Sequence, residues 1–312
     1  MPLSKKLFVY FVSGILEWST ILAGCSTAPH VLTISATSDA VNAPSYGNKD
    51  YAQTLAAIAS VMSLDFKLPV VDVSVTVYQS QVSYESGVVA NAVRDREQLQ
   101  QRLGAAAKLP SEVEFVDSAR RLAASSAAVG NYRRVLVNDS RLSRTLWPEW
   151  VRILAHELTH SAQRELINGR PSSADQWLRE GFAEWVGYKV TDKFGAENYS
   201  KSRQNALSRI ATARSYQTFP ELNQLARNFD WITWLRTLGH AGTYGQAFIA
   251  VDVLIEEKGI EAMVHYFRLF EKLNNREKSF STAFGETLSS FDDRFNRHLG
   301  VLIDKHRVGI LQ

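Results

Sequence analysis

The stretch Arg152-Ile153-Leu154-Ala155-His156-Glu157-Leu158-Thr159-His160-Ser161-Ala162 constrains this chain more than any other. It contains His-Glu-x-x-His, with His156 and His160 four residues apart. On a helix that spacing puts both imidazoles on one face, a single turn apart, where they can grip one ion. Glu157 stands beside them, placed to take a proton from a water that the ion activates. The flanks favour a helix. Pro148 suits a first turn, Trp150, Ile153, Leu154 and Leu158 make an apolar stripe, and Asn168-Gly169 reads as a stop. The bland alternative is an amphipathic helix with two incidental histidines.

Further on comes Trp177-Leu178-Arg179-Glu180-Gly181-Phe182-Ala183-Glu184-Trp185, with nineteen residues between His160 and Glu180. Two histidines on zinc leave room for a third protein ligand and one open position, and a carboxylate on a second helix can be that ligand. Here the chain resembles the thermolysin-like metallopeptidases called gluzincins, whose third ligand is a Glu in a similar Glu-Gly-Phe-Ala segment. The resemblance implies that Glu180 completes a site for one Zn2+ per chain. Glu184 shares the helical face of Glu180 and is placed to orient His156 through the ring nitrogen that does not bind metal. An exposed helix carboxylate is the alternative for Glu184.

Downstream, Gly239-His240-Ala241-Gly242-Thr243-Tyr244-Gly245-Gln246-Ala247 opens a helix that runs to about Glu257 and stops at Gly259. Its Tyr-x-Gln-Ala resembles the segment in which gluzincin aminopeptidases present a tyrosine hydroxyl to the tetrahedral intermediate. That implies Tyr244 as oxyanion donor, with His240 as the rival. Gluzincin aminopeptidases also carry a Gly-x-Met-Glu-Asn type segment before the metal helix, and nothing here matches it. An exopeptidase thereby loses its anchor, and an endopeptidase gains.

At the start of the chain, Lys5-Lys6 precede an apolar run from Leu7 to Leu16, too short to span a bilayer, and then Leu22-Ala23-Gly24-Cys25. This resembles the lipobox of bacterial lipoproteins. It implies a signal peptide over 1–24 and lipid on Cys25, which is the only cysteine. The Ser, Thr, Ala and Asn with two prolines that follow suit a tether over 25–49, within which Val31, Leu32 and Ile34 leave an edge strand open. Glu17 inside the apolar run departs from that pattern, and an uncleaved anchor or a buried free Cys stay open. Ser26 after the cysteine implies the periplasmic face of the outer membrane in a diderm host. The net charge of +3 is spread without basic blocks, which argues against nucleic acid as a partner.

Between tether and metal helix, Asp50 caps a helix to about Met62, and Val71, Val73, Val75 and Val77 alternate as a half-buried strand. A second strand is expected near Gln81 to Val88, and a solvated helix over Val89 to Leu103. Phe115 to Val129 reads equally as a short helix or a small-residue strand. Gly130-Asn131 signals a turn and Tyr132 to Asn138 a strand. The gluzincin resemblance makes that last strand a substrate-pairing edge, and an interior strand is the alternative. Asp230-Trp231-Ile232-Thr233-Trp234-Leu235 reads as core or cleft wall, and Leu288, Phe291, Phe295 and Leu299 mark a closing amphipathic helix.

The expected fold is therefore α+β and zincin-like over 50–312: a small N-terminal mixed sheet, the metal helix, a ligand helix and a helical C-terminal lobe. The expected function is zinc-dependent peptide hydrolysis by a lipid-anchored cell-envelope protein, with a peptide or protein as substrate and the membrane reached through the lipid. A zinc-bearing scaffold lipoprotein and a metal-dependent hydrolase of a non-peptide bond are the other readings.

Overall fold

The computed structural model describes residues 28–37, 39–104, 109, 111–170 and 172–310; the signal segment and Cys25 lie outside the described residues. In chain order the elements are β1 (His30–Ile34), α1 (Tyr51–Leu64), β2 (Val73–Tyr78), α2 (Gln81–Leu103), α3 (Glu112–Ser125), β3 (Ala128–Asn131), β4 (Arg134–Asn138) and the short α4 (Asp139–Leu142). There follow α5 (Trp147–Glu165), α6 (Gln176–Lys193), α7 (Tyr199–Arg214), α8 (Asn228–His240), α9 (Gln246–Lys258), α10 (Ile260–Leu269), α11 (Arg276–Phe284) and α12 (Leu288–Ile310). The class is mixed α+β, 66% helical, with one small four-stranded mixed sheet. Among the described residues no helix is long and apolar enough to cross a membrane.

The chain forms two compact units. Of the described residues, the first takes in 28–32, 74–129 and 135–145, and holds most of the sheet, whose strand order is β1-β2-β4-β3. Val73, Val75 and Val77 point inward along β2, as their alternation requires. The alternation stops short of Val71, because Asp72 takes a positive φ of 48° and leaves Val71 39% exposed. Val31, Leu32 and Ile34 fall in the edge strand β1, inside the stretch read as a tether.

Two segments differ from the strands expected of them. Gln81 to Val88 is the start of α2, not a strand. The Ser80 hydroxyl accepts from the Ser83 N–H as an N-cap, and Tyr84 and Val88 are buried at a four-residue spacing while Val82 is exposed. The segment before the metal helix is also not an edge. β4 lies between β2 and β3, and the edge on that side is β3, joined to β4 by a two-residue turn with Arg133 at φ 53°.

The second unit takes in 33–73, 130–134 and 146–312, and its core is helix on helix. Trp150 of α5, Trp177 and Phe182 of α6 and Phe248 of α9 are almost wholly buried, each contributing roughly 1.5–3 kcal/mol by burial. Phe291, Phe295 and Leu299 bury one face of α12, as their spacing predicts. The ligand helix comes unusually close to α9. A Cβ on Gly181 would fall inside the contact radius of the Ala247 carbonyl oxygen, so this position is glycine for space.

Gly181→Ala should therefore force α6 and α9 apart and cost about 1–3 kcal/mol in a urea unfolding titration. Gly300→Ala on α12, where an added Cβ meets nothing within 4 Å, is the matched control and should be neutral or stabilising. Equal effects at the two sites would show that α6 and α9 are not in tight contact.

Candidate metal centre

Every residue of the centre belongs to the second unit. α5 starts with Pro148 in its first turn and ends where Asn168 and Gly169 adopt positive φ, the Gly169 N–H bonding the Arg164 carbonyl at 2.8 Å. Between those ends, Arg152, His156 and His160 recur every four residues along one face. On α6, Gln176, Glu180, Glu184 and Tyr188 do the same. The two columns meet.

His156 Nε2 lies 3.1 Å from His160 Nε2, and Glu180 Oε2 lies 3.3 Å from the first and 3.4 Å from the second. All three residues are at most 8% exposed. A tetrahedral ion with bonds of about 2.0–2.1 Å sets its ligand atoms about 3.3 Å apart, so this triangle has the right edge to seat a metal. The protonation pattern points the same way. Gln163 Nε2 donates to the Arg179 carbonyl at 2.9 Å, which turns its Oε1 toward His160 Nδ1 at 3.0 Å. His160 therefore carries its hydrogen on Nδ1 and offers a bare Nε2 to the triangle. Two bare acceptors, His160 Nε2 and Glu180 Oε2, thus meet His156 Nε2 at one point, where a proton on His156 or a metal ion in its place can bind them together. The buried His156–His160–Glu180 cluster can hold a metal ion.

Each ligand is held from behind. Gln176 Nε2 donates to Glu180 Oε1 at 2.8 Å, and Arg179 Nη1 fixes Gln176 by donating to its Oε1 at 3.0 Å. Glu184 Oε1 sits 3.0 Å from His156 Nδ1, off the line of an aligned hydrogen bond, and Arg152 Nη1 reaches both Glu184 oxygens at 2.6 Å. Glu184 is 7% exposed, so the exposed-carboxylate reading does not hold. Burial opposes charge on these groups, but their mutual contacts outweigh it. His156 is raised to about 10, Glu184 is lowered to about 2 and Glu180 is held well below its ordinary value.

Glu157 is half-buried and lies outside the triangle. The Gly130 N–H of β3 donates to its Oε2, leaving Oε1 for other work. Gly130 must be glycine, because a Cβ would strike the Glu157 carbonyl oxygen and come within 2.9 Å of Oε2. Tyr244 sits on a π-helical turn, Ala241–Gly245, a form that often marks functional sites. Its ring is 6.1 Å from that of His156, 5.0 Å edge-on from the buried Trp231 and 4.8 Å from His240, which stacks on it at the exposed side. Trp231 is thus a wall of the site. Burial, then the carboxylates of Glu180, Glu184 and Glu157, push the Tyr244 hydroxyl well above its usual range, so it stays a proton donor.

Sequence reasoning missed Arg152, Gln163, Gln176 and Gly130. The first three carried a signal: each stands three or four residues from a ligand on the same helix. Gly130 carried none beyond its type, since the close approach is made by a distant helix.

Without metal, the raised His156 stabilises the fold fully below its ordinary 6.5, and that contribution is lost as pH rises toward about 10. The lowered Glu184 contributes fully above 4.5 and its share is lost as pH falls through about 2, while Glu180, held well below its ordinary value, acts in the same direction. Denaturant unfolding of metal-free protein should therefore show this cluster's contribution greatest between pH 4.5 and 6.5. Metal uptake at pH 8 should release about one proton per ion. Uptake without proton release would remove His156 from the ligand set. No family model matches the chain, and neither the curated proteins nor the solved structures contain one that matches it.

Proposed function

We propose that this chain is a zinc metallopeptidase with a zincin-like fold of the gluzincin type, acting on internal peptide bonds. The observation that carries the reading is the ligand triangle with a carboxylate beside it that is not part of it. Glu157 follows His156 on the same helix, held by Gly130 at one oxygen only. A purely structural site has no use for such a group. When bound, zinc would polarise a peptide carbonyl and acidify a water molecule.

The chain's own residues then have distinct tasks. Glu157 takes the proton from the attacking water through its second oxygen and hands it to the leaving amine. Tyr244, kept protonated, donates to the oxygen on which negative charge develops. Gln163, Gln176 and Glu184 hold His160, Glu180 and His156 in place, so no ligand has to reorganise during the reaction. The lack of a Gly-x-Met-Glu-Asn segment supports an endopeptidase, and the Leu22–Cys25 segment supports a lipid-anchored position on the cell envelope.

An unbiased peptide-library digestion, run with and without chelator, tests the activity. Cleavage should appear and vanish with zinc removal. Glu157→Gln should keep its zinc and lose about 10²–10⁴ in rate, because an amide cannot accept the proton. Tyr244→Phe should lose about 10²–10³ in kcat at equal zinc content. A Glu157→Gln enzyme with undiminished turnover would overturn the mechanism.

A further inference from the structure

The chemistry just described gives no task to Arg152, yet this side chain makes four short hydrogen bonds beside the centre. Its Nη1 donates to both oxygens of Glu184 at 2.6 Å. Its Nε and Nη2 donate to the two oxygens of Glu149 at 2.7 and 2.6 Å, the paired geometry in which a guanidinium holds a carboxylate best. The Arg152 side chain is 17% exposed, that of Glu184 9%, and that of Glu149 44%. The three make a line from solvent to the ring of His156, whose other nitrogen is a corner of the ligand triangle.

The arginine has no room to do otherwise. A Cβ on Gly187 of α6 would sit 2.9 Å from Arg152 Cγ, so the stem lies flat against that helix. The guanidinium carbon stands 5.4 Å from the centre of the Tyr188 ring. Glu184 is correspondingly confined. A carboxylate that near a metal site, if free, would swing to the cation and become a fourth protein ligand, closing the position that catalysis needs open. With both oxygens tied to Nη1, it stays at the far nitrogen of His156.

We propose that Arg152 is a positioning residue of the metal centre: acting through Glu184, it fixes the His156 ring and keeps Glu184 out of the ligand set. The proposal rests on the reading that His156, His160 and Glu180 hold a metal, and it does not require peptide hydrolysis. Because Arg152 acts through Glu184, its removal should matter only while Glu184 is a carboxylate. A lysine offers one compact charge in place of a fork, so it cannot hold both glutamates.

The test is the affinity of the purified full-length chain for Co2+ and Zn2+, by chelator competition, with the cobalt visible spectrum as a report on coordination. Arg152→Gln should weaken binding about 10–100-fold and dim the cobalt bands as a further oxygen joins the ion. Arg152→Lys keeps a buried cation for folding and should still lose several-fold. In a Glu184→Gln background the arginine substitution should add less than about twofold. Wild-type affinity and spectrum in both single variants would overturn the proposal. So would losses that multiply in the double variant, since these would mark a role separate from Glu184. A wild-type chain that binds neither metal would end the centre and this proposal together. Intact coupling in a chain that cleaves no peptide would support the proposal while removing the peptidase.

Discussion

The structure depends on the seam between α5 and α6. Along it, side chains at four-residue intervals on one helix oppose side chains at the same interval on the other: Arg152 against Glu184, His156 against Glu184 and Glu180, His160 against Glu180, and Gln163 against the backbone of Arg179. The order of the pairs makes the two helices antiparallel. Polar groups buried in a helix–helix contact are tolerated only when each finds a partner, and here each ligand has one on its far side. The metal site is therefore the central segment of a continuous polar interface. It is not a set of side chains placed on a finished scaffold.

Two close approaches give the seam its surroundings. Gly181 admits α9, and α9 continues directly from the turn that carries Tyr244, so the helix of Glu180 and the turn of Tyr244 share one packed contact. Gly130 admits β3, whose amide N–H holds Glu157. Each is a place where one missing methyl group sets the distance between two functional side chains. The aromatic wall of Trp231 and His240 then encloses the tyrosine from both sides.

Much of this was legible because helices are local. His156, Glu157 and His160 can be placed on one face from spacing alone, and the burial of Phe291, Phe295 and Leu299 follows from the same rule. What depended on distant partners was not legible. Val82, Tyr84, Gly87 and Val88 pass for a strand until α3 packs over Tyr84 and Val88. The expected edge at Tyr132 to Asn138 became interior because β3 lies beyond it, in a stretch of small residues that fits a strand or a helix equally. Arg152 lay inside the motif itself, but its partner Glu184 sits thirty-two residues away on another helix.

The Arg152–Glu184 contact also enters the charge balance of the cage. Glu180 and Glu184, both held in the charged form, bring two negative charges, and Arg152 with the raised His156 returns two positive ones. Glu149 meets solvent, which screens its charge. The enclosure is poorly hydrated, so an uncancelled charge inside it is expensive, and without metal the His156 proton is part of what balances it. A metal ion that enters the triangle displaces this proton and takes over its part in the balance. Proton and metal thus compete for one place.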